Sequence, residues 1–354
     1  KTLFQYLKDT SHCNTKTWAY YLSGKKDAGV PDTVIVDECS MLTEEMFAAL
    51  LETTQRAKRI ILVGDPNQLP PIGTGKPFYE LVQELKSEKG QKHYARLLVS
   101  NRQKQNESLS NRLDIELSNL FTDDLSASVS EDIFYNIAQN SENIEFVKCE
   151  NSIELPSVLK DTLAKAVGIT DVETFDRSLG GSPNGDWMNF NNAEAVENWQ
   201  ILTPYRNNVE SGTITINAQI QQNFRITTGG SLYKKRRSST EWNFRFPGTD
   251  QICGLEAIRF GEKVINTQNQ DRSKYGQPGY PSEKCVQYIA NGEIGIITGF
   301  WKYTHIVQFS SQKGYSYNYD SGISESDQEL ELAYALTVHK AQGSGFKTTV
   351  LILM

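Results

Sequence analysis

An α/β protein with parallel sheets and a small all-β insertion is the fold class this sequence predicts, and three observations predict it. Four short apolar runs, at 33–36, 59–65, 199–206 and 348–353, are rich in β-branched residues and lack the alternation of a half-solvated strand. Such runs read as strands buried on both faces, which belong mostly to parallel sheets under helices. A helical pattern lies between the first two, so strand, helix and strand form a βαβ unit with a right-handed crossover. The stretch 225–325 then changes character, with short β-type segments, many Gly and Tyr, and little helical periodicity. That is the pattern of a small β-barrel set into an α/β domain.

Taken in order, 1–32 carries a helical pattern (Leu3, Phe4, Tyr6, Leu7) and then a polar loop. After the first strand, 44–57 reads as a helix with Met46, Phe47, Leu50 and Leu51 on one face. The second strand empties into P-N-Q-L-P-P-I-G-T-G at 66–75, a loop of turn formers. A helix is predicted over 79–86, and helical patches near 112–121 and 154–167 interrupt a polar, Ser/Asn-rich stretch at 104–195. The segment 180–192 reads as a loop. The third strand leads to a helix at 211–223, and β-segments follow at 263–266, 294–298, 305–309 and 315–319. The basic cluster Lys234, Lys235, Arg236 and Arg237 stands near the start of the insertion and is read as surface, with guidance of a nucleic-acid strand as the functional alternative.

Composition narrows the class. With 354 residues the chain has length for two or three domains, and 38% apolar and 22% charged residues are ordinary for a globular protein. The net charge of −7 argues against a uniformly basic coat but leaves room for a local basic groove. The 5 cysteines are widely spaced and form no C-x-x-C pair, so they read as reduced thiols in a cytoplasmic protein without a zinc site. No apolar run approaches the roughly 20 residues that span a bilayer.

The chemistry concentrates where the first strand ends. Val34, Ile35 and Val36 run into two adjacent carboxylates, Asp37 and Glu38. Ligands of open parallel sheets sit beyond the strands' carboxyl ends. Two acids there repel unless a cation meets them, and Mg²⁺ shared with substrate phosphates is the natural one. Asp37 would hold the metal and Glu38 would orient or deprotonate a water. Alone, the stretch reads equally well as a strand end before an acidic helix start, with Ser40 or Thr43 as the cap.

Four segments in order, V-I-V-D-E-C-S-M-L, L-V-G-D-P-N-Q-L-P-P-I-G-T-G, S-N-R-Q and A-L-T-V-H-K-A-Q-G-S, resemble the RecD-like branch of superfamily 1B DNA helicases. That branch includes TraI-type relaxase helicases and the phage Dda helicase. L-T-P-Y-R, and R-F-G-E-K-V-I-N-T-Q-N with N-G-E-I-G, match it too. The resemblance implies two RecA-like P-loop NTPase domains with an SH3-like barrel inserted in the second. Residues 1–103 would be the remainder of the first, 104–224 and 326–354 the second, and 225–325 the barrel. It implies ATP and Mg²⁺ as cofactors, single-stranded DNA or a strand junction as partner, and 5′-to-3′ movement in repair, recombination or conjugation.

On matching positions, Asp37 and Glu38 take the Walker B roles, and Gln68 is the γ-phosphate sensor that positions the attacking water. A neutral amide can donate to phosphate and accept from water at once. Gly64 and Asp65 shape the same loop. Arg102 is the arginine that reaches the γ-phosphate, and Arg206 is a weaker candidate for that region, with a structural salt bridge as the alternative. Thr337, His339, Lys340 and Gln342 contact DNA phosphates, and Gly343 couples that segment to the nucleotide.

Three departures stand out. No G-x-x-x-x-G-K followed by Ser or Thr occurs. The chain stops before the family's last motif, with its cleft-closing arginine. Gly345 stands where many relatives carry Glu, a ribose contact. The expectation is the middle of a larger helicase that alone hydrolyses ATP poorly. The alternatives are an ATP-independent nucleic-acid-binding module and a subunit of a helicase–nuclease complex.

Overall fold

The apolar runs at the start of the chain pair in parallel: β1 (Thr33–Val36) lies beside β2 (Arg59–Leu62), in register from Thr33↔Arg59 to Val36↔Leu62. The computed structural model describes residues 2–97 and 143–354, less 15–16, 18, 26–28, 88–89, 186, 208, 227–257, 277–278, 302–303 and 321–328, together with Leu117 and Tyr135. The chain divides into two compact units, 1–146 and 147–354. The helical patch expected near 112–121, the boundary at 103/104 and the basic cluster at 234–237 lie outside the described residues, Leu117 apart.

In the first unit, α1 (Leu3–Asp9) is capped by Thr2, whose hydroxyl accepts from the Gln5 N–H at 3.2 Å. The crossover helix α2 (Glu44–Thr53) starts at Thr43, which accepts from Met46 N–H at 3.3 Å, and its first turn carries Glu44 and Glu45 at the positive dipole end. A third helix, α3 (Pro77–Leu85), begins on a proline whose missing N–H costs nothing there. Leu42, Leu50, Phe78 and Val82 form the core, with Val36 and Leu62 packed against it.

The expectation that β1 and β2 are buried on both faces is not met. Val34 and Val36 are half-buried, but Ile35 is 66% exposed, and Ile61 and Val63 are exposed too. In a two-stranded sheet the packed helices cover one face, and among the described residues nothing covers the other.

The second unit opens with α4 (Leu155–Val167) and α5 (Val172–Ser178). The segment read as a loop is instead a hairpin, β3 (Gly181–Asn184) against β4 (Trp187–Phe190). Asn184 pairs with Trp187, and Gly185, in the two-residue link between them, supplies a left-handed φ of +62°; Met188 and Phe190 are buried. The strand β5 (Trp199–Thr203) is buried as expected, and α6 (Thr213–Gln221) follows it.

The all-β stretch contains β6 (Lys263–Asn266), β7 (Gln270–Asp271), β8 (Lys274–Gly276), β9 (Tyr288–Ile289), β10 (Ile294–Trp301), β11 (Thr304–Phe309) and β12 (Tyr315–Asp320). Then come β13 (Leu330–Leu332), β14 (Ala335–Thr337) and β15 (Thr348–Leu351). A parallel sheet runs β14-β5-β15, and an antiparallel sheet runs β13-β6-β10-β11-β12-β8. The chain therefore passes from the antiparallel to the parallel sheet across Ala333 and Tyr334, both fully buried. Asn217 on α6 fixes that passage: its amide donates to Leu332 and Ala335 carbonyls at 3.0 Å each and accepts from Ala335 N–H at 2.8 Å. The strand β15 is half-exposed, against the expectation of a fully buried strand, with Thr349 and Leu351 open to solvent.

Behind these sheets is a knot of buried charge. Arg225 pairs with Asp176 and donates to the Gly261 carbonyl, and Glu262 accepts from Gln221 at 2.7 Å. Burial pushes the Glu262 carboxyl up to about 7 against the pull of Arg225. Burial likewise lowers Lys263 to about 7, where it donates to the Trp199 carbonyl at 2.7 Å.

The signs differ between the two. From pH 4.5 to about 7 the folded Glu262 holds a proton that the unfolded chain has released, so stability falls as pH rises. From about 7 to 10.5 the unfolded Lys263 holds a proton the folded one has lost, so stability rises with pH. Glu262→Gln should therefore gain on wild type by about 3 kcal/mol between pH 4.5 and 7 and by nothing further above it. Urea unfolding across that range measures it.

Candidate functional site

In the first unit the site is built by the turn after β1. Glu38 has φ 55° and ψ 40°, the left-handed region, which costs a non-glycine residue about 1–2 kcal/mol. The Asp37 carboxylate accepts from the Glu38 N–H at 2.9 Å, and the Cys39 N–H donates to the Val63 carbonyl at 2.9 Å. Those two bonds hold the reversal and turn both acids outward, where they are exposed. Strain kept this way is a common feature of functional turns.

The loop after β2 approaches the same turn. A Cβ on Gly64 would lie 3.0 Å from Cys39 N and from a Phe78 ring carbon, and 3.1 Å from Ser40 N, so this close approach needs glycine. Asp65 accepts from Asn67 N–H at 2.9 Å, and its carbonyl accepts from Gln68 N–H at 3.2 Å, which shapes the turn carrying Gln68. The Gln68 carbonyl oxygen accepts from Ser40 Oγ at 3.4 Å. Ser40 was visible in the sequence only as a possible cap. Thr43 takes the cap, and Ser40 ties the Gln68 loop to the acidic turn.

The donor set suits Mg²⁺ of one kind. Among the described residues neither Asp37 nor Glu38 makes an ion pair, and no group of three or more metal-ligating side chains exists. Two adjacent carboxylates fit an ion that takes one or two carboxylates and completes its shell with phosphate and water. Asp37, with one oxygen uncommitted, would hold it, and the ion would neutralise phosphate charge. Arg102 lies outside the described residues.

In the second unit the Thr203 hydroxyl donates to the Ser211 carbonyl at 2.7 Å, closing the loop that carries Arg206. The Arg206 guanidinium grips Glu331 with both terminal nitrogens, at 2.8 and 3.1 Å. The Lys340 ammonium meets the same carboxylate at 3.0 Å. Thr337 ends β14 and its hydroxyl accepts from Lys340 N–H at 3.3 Å. His339 and Gln342 continue that turn through a 3.3 Å backbone bond, and Gly343, at φ +80°, breaks it. Arg206, Glu331, Thr337 and Lys340 border a cavity of about 280 Å³ lined also by Asn207, Asn217 and Leu336, and His339, Gln342 and Gly343 are not part of its lining. Although burial opposes it, Arg206 and Lys340 hold the Glu331 carboxyl below its ordinary value. The sequence singled out Arg206 and Lys340 separately. Glu331, which joins them, carried no signal in L-E-L.

Residues 3–118 match the family described as an AAA domain. Over 349 residues the chain is 30% identical to the uncharacterized protein MJ1519 of Methanocaldococcus jannaschii, covering 91% of this chain and 26% of that protein. It is 25% identical over 328 residues to the RecBCD enzyme subunit RecD of Haemophilus influenzae, covering 91% of this chain and 46% of that subunit. A 52-residue stretch is 42% identical to the ATP-dependent RecD2 DNA helicase of Deinococcus radiodurans, covering 15% of this chain and 7% of that helicase. The crystal structure of Bacteroides Pif1 bound to ssDNA aligns with 90% of this chain and 64% of that one, at 15% identity and a TM-score of 0.33. The chain thus spans less than half the length of each of these curated relatives. These sequence matches support a likeness of the chain to the RecD-like branch of superfamily 1B helicases.

Proposed function

We propose that this chain is the core of an ATP-dependent DNA helicase that couples ATP hydrolysis to 5′-to-3′ movement on single-stranded DNA. The observation that carries this reading is the meeting, in one unit, of Asp37 and Glu38 at the carboxyl end of a parallel strand with Gln68 tethered through Ser40. In this reading Asp37 holds the metal of the bound nucleotide, Glu38 takes the proton of the attacking water, and Gln68 orients that water. Arg102 and Arg206 answer the γ-phosphate, with Gly343 at the break of the segment that couples to it. Thr337, His339, Lys340 and Gln342 hold the DNA backbone without reading sequence. Localisation in the cytoplasm, an SH3-like closure of the antiparallel sheet, and work in repair, recombination or conjugation belong to the same proposal.

Lys340→Ala tests the DNA half. Anisotropy of a labelled oligonucleotide should show weaker binding for every sequence tried, with the salt dependence of log K shallower by about one. Unchanged affinity and slope would remove Lys340 from the DNA contact.

A further inference from the structure

We propose that Arg206 and Lys340 form one phosphate-binding site, and that Glu331 is its built-in counter-ion, displaced when a phosphate arrives. This rests on the helicase reading above, revises it by placing Arg206 and Lys340 on one anion instead of on nucleotide and DNA separately, and assigns Glu331 a role that neither the motifs nor the matches give it.

The geometry is that of an occupied oxyanion site. One carboxylate receives a bidentate guanidinium and an ammonium, all at 2.8–3.1 Å, the distances charged donors also adopt toward phosphate oxygens. Three separate segments deliver these groups: the loop after β5, the strand β13, and the turn after β14. Glu331 cannot withdraw by backbone movement, because Asn217 bonds both Leu332 and Ala335 and so pins the passage between the two strands. Arg206 and Lys340 can swing. Their side chains are 47% and 30% exposed, and both border the cavity. Half-exposed ion pairs are weak, so a phosphate in that cavity, with oxygens for the guanidinium and the ammonium at once, competes with the carboxylate for both cations.

The exchange also provides a switch. Without a phosphate the cations are neutralised internally, and the turn carrying Thr337 and His339 is tethered to β13 through Lys340. With phosphate bound, Lys340 is released from β13. The anion comes from either of two sources, a DNA backbone phosphate or the phosphate chain of a nucleotide.

The test uses this chain with Glu331→Gln and Glu331→Asp, each checked by thermal unfolding, and two probes: a labelled single-stranded oligonucleotide and inorganic pyrophosphate. Glu331→Gln should bind a probe about three- to tenfold more tightly at low salt, with a slope of log K against log salt steeper by about one. Glu331→Asp keeps the charge and should stay near wild type. A gain for the oligonucleotide identifies a backbone phosphate, and a gain for pyrophosphate alone identifies the nucleotide. If Glu331→Gln does not fold, the charge-balanced Arg206→Gln/Glu331→Gln pair should bind more tightly than Arg206→Gln. Wild-type binding of oligonucleotide with no gain for either probe overturns the counter-ion role and leaves the DNA reading standing. Binding of neither probe by any of these proteins overturns both.

Discussion

Glu38→Gln is expected to lower DNA-stimulated ATP turnover by the full-length gene product about 10²- to 10⁴-fold, the range for loss of a general base. Three features make Glu38 the residue to change. Its backbone is held in the left-handed region by bonds on either side, from Glu38 N–H to Asp37 and from Cys39 N–H to Val63. Its carboxylate is exposed and makes no hydrogen bond or ion pair among the described residues. Gln keeps the shape and removes the basicity. The fall should therefore appear in kcat, with nucleotide affinity kept, since Asp37 still answers the metal. A rise in KM at unchanged kcat would make Glu38 a binding group instead.

Asp176→Ala should cost the second unit about 3–5 kcal/mol in urea unfolding, the usual loss when one partner of a buried ion pair is removed. Asp176 and Arg225 have side chains 0% and 4% exposed, and Arg225 lies 4.8 Å over the Phe175 ring, which stacks on Phe224. Truncating Asp176 leaves a guanidinium that cannot lose its proton in an apolar site, with the Gly261 carbonyl as a remaining acceptor. Asp176→Leu with Arg225→Met removes both charges and should lose less than either single change. A double variant as unstable as the sum of the two would mean that the groups act independently.

Much of this molecule was legible in the chain. The apolar run before Asp37 and Glu38, the crossover helix and the main β-segments stand close to where periodicity put them, because burial enforces those patterns. What failed did so for physical reasons. An unbroken run such as Val34-Ile35-Val36 says that a strand is apolar but not how many neighbours its sheet has, and Ile35 is exposed. The hairpin at Gly181–Phe190 was hidden because Gly181, Pro183 and Asn184, which read as turn formers, lie in its first strand. Ser40 and Glu331 had no pattern to announce them, since each acts on a residue distant in sequence: Ser40 on Gln68, and Glu331 on Arg206. The burial of Lys263, at the start of its strand, had no signal in the sequence.

The most direct measurement is ATP turnover by the full-length gene product with and without single-stranded DNA, run beside its Glu38→Gln variant. Turnover that rises with DNA and collapses in the variant is the result a motor built on Asp37, Glu38 and Gln68 must give. DNA binding without any ATP turnover, in either protein, would contradict it and leave an ATP-independent binding module.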